Sequence, residues 1–173
     1  MNRRALLGLG TAFLVSGCLT GKEGTEYAVM SQKIGQPRPG QSRVVLMSLK
    51  DSWLDRTTCD AKVDGLLLSR LIPGTYVYID RPAGPHHLVA TQTLFPGDSV
   101  LDFNTEPGRT YFFSIRPSDR SRAMQGGGMA FGLVGMGVMA AASSGADNKG
   151  PVDFVPLQES QAKTVLAELL QAE

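Results

Sequence analysis

Turn-forming pairs recur at close spacing through the middle of this chain: Asp64-Gly65, Pro73-Gly74, Gly84-Pro85, Pro96-Gly97 and Pro107-Gly108. Glycine enters backbone regions closed to other residues and proline presets φ, so each pair marks a reversal. The runs between them are short and rich in β-branched, aliphatic and aromatic residues, which reads as strand. Short strands with turn signals at such intervals specify an all-β sandwich or barrel.

Individual runs sharpen this expectation. Val44 to Leu49 is continuously apolar, the pattern of a strand buried on both faces. Cys59 to Val63 and Leu66 to Ser69 flank Asp64-Gly65, a pair suited to a tight hairpin turn. Thr75 to Ile79 alternates aliphatic and aromatic residues on opposite faces. His86 to Thr93 follows Pro85, whose missing amide places this strand start on an edge or in a loop. Ser99 to Asn104 sets Leu101 and Phe103 against Val100 and Asp102, and Thr110 to Arg116 puts Tyr111, Phe113 and Ile115 on one core-covering face. Lys50 to Thr58, with Trp53, is irregular and suits an edge or an end loop. Val152 to Leu157 has strand character again. From Glu159 to Gln171 the period is helical, and Ala162, Val165, Leu166, Leu169 and Leu170 form a stripe that needs an apolar face of the sheets to dock on. The expectation is therefore a mainly β protein. Residues 43–173 form an antiparallel β-sandwich with a glycine-rich helical insertion at about 118–150 and a C-terminal helix at about 159–171.

The N-terminus supplies an address. Arg3 and Arg4 precede an apolar run, Ala5 to Val15, and Val15-Ser16-Gly17-Cys18 has the form of a lipoprotein processing site. Residues 1–17 read as a signal peptide, because a membrane span needs about 20 apolar residues. Cys18 then becomes the first mature residue, carrying diacylglycerol, and the partner it brings is the lipid bilayer. The paired arginines have a faint twin-arginine character, but ordinary Sec export is favoured. Leu19 and Thr20 stand where an Asp would favour the inner membrane, so sorting to the outer membrane, facing the periplasm, is expected. Residues 18–42 are polar and rich in Gly, Gln and Pro, which reads as a flexible tether holding the domain about 25–30 Å from the lipid. About 155 residues remain after cleavage, the size of one domain. Arg3 and Arg4 leave with the signal, so 17 basic residues become 15 against 16 acidic ones. Such a near-neutral chain offers no basic field for nucleic acid.

Little chemistry is legible. With Cys18 lipidated, Cys59 has no intramolecular partner, and it reads as a small buried hydrophobe in a strand; a redox role would require exposure and a lowered pKa. His86 and His87 are adjacent on a strand and so point to opposite faces, unsuited to one metal. No Ser-His-Asp, Cys-His or HExxH arrangement emerges from the spacing, and no cofactor is implied. Asp51, Asp55, Asp60, Asp64, Asp80, Asp98 and Asp102 lie among turns and strand ends, where carboxylates serve local backbone bonds. Tyr76 and Tyr78, with Trp53, either pack between sheets or form an exposed aromatic strip for glycan or peptide.

One stretch stands apart. From Ala123 to Ala146 the chain is uncharged, with Gly128, Gly132 and Gly135 at intervals that allow close helix approach in a membrane. Met129, Phe131, Leu133, Val134, Met136 and Met139 are its candidate contacts with a bilayer, a partner or a second copy. A single crossing conflicts with Val152 to Leu157 rejoining the sandwich, and the stretch is too short for two helical crossings. Residues 118–122 and 147–150 read as solvated boundaries.

Three runs carry a family likeness: Val63-Asp64-Gly65, then Leu71-Ile72-Pro73-Gly74-Thr75-Tyr76-Val77-Tyr78-Ile79-Asp80, then Pro82-Ala83-Gly84-Pro85-His86-His87-Leu88. Their order resembles the envelope lipoproteins grouped as domain-of-unknown-function family 2846 and the related repeats named for Pro-Glu-Gly-Ala. The resemblance covers roughly residues 43–116 and implies an immunoglobulin-like β-sandwich without implying an activity. Pro85 departs from the family pattern. The resulting functional expectation is a noncatalytic, lipid-anchored module that binds an envelope protein or glycan or organises the envelope. The alternatives are a membrane-active or self-associating lipoprotein acting through the glycine-rich stretch, and a small envelope hydrolase or glycan-modifying enzyme.

Overall fold

The computed structural model describes residue 30 and residues 32–50, 57–125 and 149–172. Their strands are β1 (Gln41–Ser48), β2 (Cys59–Val63), β3 (Leu66–Leu71), β4 (Thr75–Pro82), β5 (Gly84–Thr91), β6 (Ser99–Thr105), β7 (Thr110–Pro117), β8 (Val152–Leu157) and β9 (Leu170–Gln171). Helix α1 (Glu159–Glu168) lies between β8 and β9. The strands form two sheets, ordered β8-β7-β1-β4-β9 and β3-β2-β5-β6. The protein is mainly β and has the form of a sandwich.

Strand β1 occupies the middle of the first sheet, and both its faces are covered. Val44 and Leu46 point inward to a core shared with Ala61, Val63, Leu71, Val77, Leu88, Phe113 and Val152. Val45 and Met47 point the other way and pack with Tyr76, Phe112 and the helix residues Ala162, Leu166 and Leu169. This double burial is why the run from Val44 lacks alternation. Phe112 likewise gives β7 a second buried face beyond the expected one.

The pairing is not wholly antiparallel. β1 pairs in parallel with β7, and β9 in parallel with β4. β1 and β7 are distant in sequence, and the intervening chain crosses to the second sheet before returning, which supplies the long connection a parallel pair needs.

At the hairpin, Asp64 (φ 52°) and Gly65 (φ 79°) both take left-handed angles, as a two-residue turn between twisted strands requires. β5 is an interior strand despite Pro85. The amide of His87 donates to Asp64 and its carbonyl accepts from the Asp64 amide, so odd-numbered residues of β5 direct their backbone toward β2. The paired part of β2 ends where Val63 meets Leu88. The nitrogen of Pro85 therefore faces beyond the end of β2, where no ladder bond is lost.

The C-terminal helix ends earlier than its periodicity suggests. After Glu168 the chain turns extended, and Leu170 and Ala172 donate to the carbonyls of Gly74 and Tyr76. Pairing with the open edge of β4 overrides helical propensity, leaving Leu170 exposed and Ala162, Leu166 and Leu169 buried.

The tether expectation for residues 18–42 also needs correction. Met30 and Ile34 are buried beside α1, and Lys33 Nζ donates to the carbonyls of Leu166 (2.7 Å), Ala167 (3.1 Å) and Leu169 (2.6 Å). The last turn of α1 contains no basic residue. Lys33 supplies from a distant segment the cation and donors that a helix C-terminus lacks. Residues 30 and 32–42 belong to the folded body, an outcome hidden because two apolar residues four apart are too weak a pattern to read.

The chain on either side of residues 126–148 is bonded together. Ser118 donates through its amide to Pro151 O and through Oγ to Gly150 O, while Arg120 Nη1 donates to Lys149 O. Ser99 Oγ accepts from Val152 N and donates to Val152 O. The departing and returning segments thus meet at one end of the sandwich. The glycine-rich insertion itself lies outside the described residues, as do Trp53, Asp51 and Asp55.

Candidate functional site

The densest polar cluster lies where the two sheets meet beyond the Asp64-Gly65 turn. His86, on β5, places Nδ1 2.9 Å from Asp64 Oδ2, and Nε2 3.1 Å from Thr105 Oγ1 and 3.0 Å from Pro82 O. A carboxylate only accepts, so the Nδ1 proton is donated to Asp64. Ser42 Oγ donates to Thr105 Oγ1 at 2.8 Å. Asp64 also accepts from the His87 amide, and Arg81 Nε lies 3.7 Å away. Burial raises the Asp64 carboxyl, but the His87 amide, the His86 ring and Arg81 outweigh it and hold it below the usual carboxylate range.

This line of carboxylate, imidazole and hydroxyl has the order of a nucleophile-activating relay, which the spacing had not revealed. Its hydroxyls are enclosed: Ser42 is 0% and Thr105 5% exposed. A nucleophile needs room for an electrophile beside it. Ser42 belongs to one sheet, Thr105 and His86 to the other, and Asp64 to the turn joining β2 and β3 of that second sheet, so the cluster acts as a polar bond between sheets.

The remaining candidates fall elsewhere. His87 is on the opposite face, its Nδ1 2.6 Å from Asp102. Among the described residues, no group of three His, Cys, Asp or Glu could hold a metal ion. Asp60, Asp64, Asp80 and Asp102 reach across to other strands rather than capping locally. Asp80 forms a buried pair with Arg43 (2.6 and 2.7 Å), and Asp60 pairs with Arg70 at 3.1 Å. Arg43 also stacks on Tyr78, its guanidinium 4.6 Å from the ring centre.

The aromatic strip is not an exposed one. Tyr76 is 3% exposed beneath α1 and Tyr78 is half-buried. Both belong to the core between the first sheet and the helix, because helix docking covers the face an isolated sheet would have shown. Burial, with Tyr78 beside it, raises the Tyr76 phenol above its ordinary range.

Cys59 is 2% exposed, and burial followed by the neighbouring Asp60 charge pushes its thiol up to about 12. The thiolate is the reactive form. In a Cys18→Ala chain, maleimide is therefore expected to modify Cys59 at least about 100-fold more slowly in the folded than in the urea-unfolded state; equal rates would contradict this burial.

The outer face of the second sheet is uncovered by any described element and differs in character. Arg70, Asp60 and Thr91 form a transverse row over β3, β2 and β5. Together with Thr58, Gln92 and Thr93 they line a depression of about 300 Å³.

The chain matches no known protein family and no curated protein. Cys18 and the apolar contacts Met129, Phe131, Leu133, Val134, Met136 and Met139 lie outside the described residues. No helix among the described residues is long and apolar enough to cross a membrane.

Proposed function

We propose that this protein is a noncatalytic envelope lipoprotein, joined to a bilayer by diacylglyceryl-Cys18, whose β-sandwich serves as a binding module on the periplasmic side, at the outer membrane. The observation that carries this reading is Val15-Ser16-Gly17-Cys18 placed directly before a folded body. Only 11 residues, 19–29, separate Cys18 from buried Met30. Even fully extended, such a segment reaches about 40 Å, so lipidation would keep the α1-covered side close to the membrane surface.

The immunoglobulin-like likeness belongs to the fold proposed for this module rather than to its activity. Tyr111, at the start of β7, accepts a 2.9 Å bond from the Glu106 amide across the preceding turn, much as a tyrosine corner does in sandwiches of that type. The resemblance of the hairpin order in residues 43–116 to the domain-of-unknown-function 2846 lipoproteins is part of this proposal and rests on the sequence runs alone, since no family model matches the chain. A second reading, contact with a bilayer or a second copy through Met129 to Met139, draws on the joined segments at 118–120 and 149–151, which bring that stretch out and back at one end.

Metabolic labelling with a palmitate analogue tests the anchor. The wild-type chain is expected to be labelled and to fractionate with membranes, and Cys18→Ala to be unlabelled. An unlabelled wild-type chain, or equal labelling of the variant, would overturn the reading.

A further inference from the structure

The two polar clusters differ in how much of their hydrogen-bonding capacity is already used. Around His86 the imidazole, the Asp64 carboxylate and the Ser42 and Thr105 hydroxyls bond to one another and to nearby backbone. Around the depression on the second sheet much of that capacity is open. Asp60 Oδ1 accepts from Arg70 Nε at 3.1 Å. Among the described residues, the other guanidinium N–H groups, Asp60 Oδ2 and the hydroxyls of Thr58, Thr91 and Thr93 make no hydrogen bond. Gln92 Oε1 is enclosed and also lacks a partner, so its amide gains a bond by turning toward an incoming donor.

These groups select a chemical class. The Asp60–Arg70 pair cancels its own charge, so the depression has no net field to capture an ion, and an ionic ligand would have to disrupt that pair. An apolar ligand would leave donors and acceptors dehydrated and unmet. A neutral molecule with closely spaced hydroxyls meets all of them, because each hydroxyl both donates and accepts. The volume lies at the lower end of small-ligand sites, about the room for one or two sugar rings.

We infer that the depression formed by Thr58, Asp60, Arg70, Thr91, Gln92 and Thr93 binds a saccharide. Vicinal hydroxyls bridge Asp60 Oδ2 and the Arg70 guanidinium, and the three threonines and Gln92 meet the remainder. This deepens the binding role proposed above and rests on it for where the sugar is encountered, while binding itself does not require the anchor.

The test uses the full chain in a non-glycosidic detergent, titrated with chitotetraose and with maltotetraose and followed by amide NMR shifts; glycine serves as a zwitterionic control. At least one saccharide is expected to give saturable shifts centred on Asp60, Arg70, Thr91 and Thr93. Thr91→Val and Arg70→Met should each weaken that binding about tenfold with the thermal midpoint unchanged. No saturable shift up to about 50 mM of either sugar, a response to glycine instead, or sugar binding that ignores both variants would overturn the inference. A failed titration beside intact palmitate labelling rejects the ligand class alone; intact titration beside failed labelling rejects the anchor alone.

Discussion

Asp80→Ala is expected to lose about 3–5 kcal/mol of folding stability, measured by urea denaturation at neutral pH. Its side chain is 6% and that of Arg43 7% exposed. The two residues face each other across β1 and β4, and the carboxylate takes both the Nε and Nη2 hydrogens of Arg43. Removing the carboxylate leaves an enclosed guanidinium with only the Tyr78 ring for company. Replacing both partners, as in Arg43→Met with Asp80→Leu, should recover most of the loss, since an apolar pair of similar volume removes the stranded charge. If the double variant is as unstable as Asp80→Ala, the stranded charge is not the cause. The pair also sets an acid limit. Hydrogen bonding from Arg43 holds the Asp80 carboxyl below the usual carboxylate range, although burial opposes it. With the folded-state pKa depressed, the contribution is complete above the unfolded value of about 3.9 and is lost as pH falls through the folded value. Asp80→Asn should therefore show a shallower decline in stability below about pH 4 than the wild type.

Gly150→Ala is the second large effect, expected to cost about 3 kcal/mol or more. A Cβ at Gly150 would sit within the contact distance of Ser99 N and Oγ and of the Asp98 carbonyl carbon. Two of these atoms are backbone and cannot rotate away, and Ser99 Oγ is held by both backbone groups of Val152. The clash should push the start of β8 away from β6 and break the Ser99–Val152 bonds, seen as faster amide exchange at Val152. Gly65→Ala is the control. Gly65 has φ 79° but open space around its Cβ position, so only left-handed strain applies, about 1–2 kcal/mol. Equal costs at the two sites would mean that the close approach at Gly150 is readily relieved.

Local chemistry made most of the sandwich readable. Asp64-Gly65 announced its turn, and the alternation in Tyr111, Phe113 and Ile115 announced a face, because both signals lie within a few residues. What depended on register was not readable. Arg43 meets Asp80 only because β1 and β4 pair in one alignment. Asp64, His86, Thr105 and Ser42 come from separate strands and a turn, and no spacing rule joins them. The Arg70, Asp60 and Thr91 row arises in the same way, from three strands each contributing one unremarkable polar residue. Met30 and Lys33 were obscured by polar neighbours, and the end of α1 by a helical pattern that ran on past the point where an open strand edge competes for it.

The joined segments at Ser118 and Gly150 carry a consequence for how this domain tolerates change. Because the two ends are fixed together by contacts within the sandwich, the antiparallel pairing of β7 with β8 is anchored by Ser118, Arg120 and Ser99 themselves and does not depend on residues 126–148 to bring the strands into register.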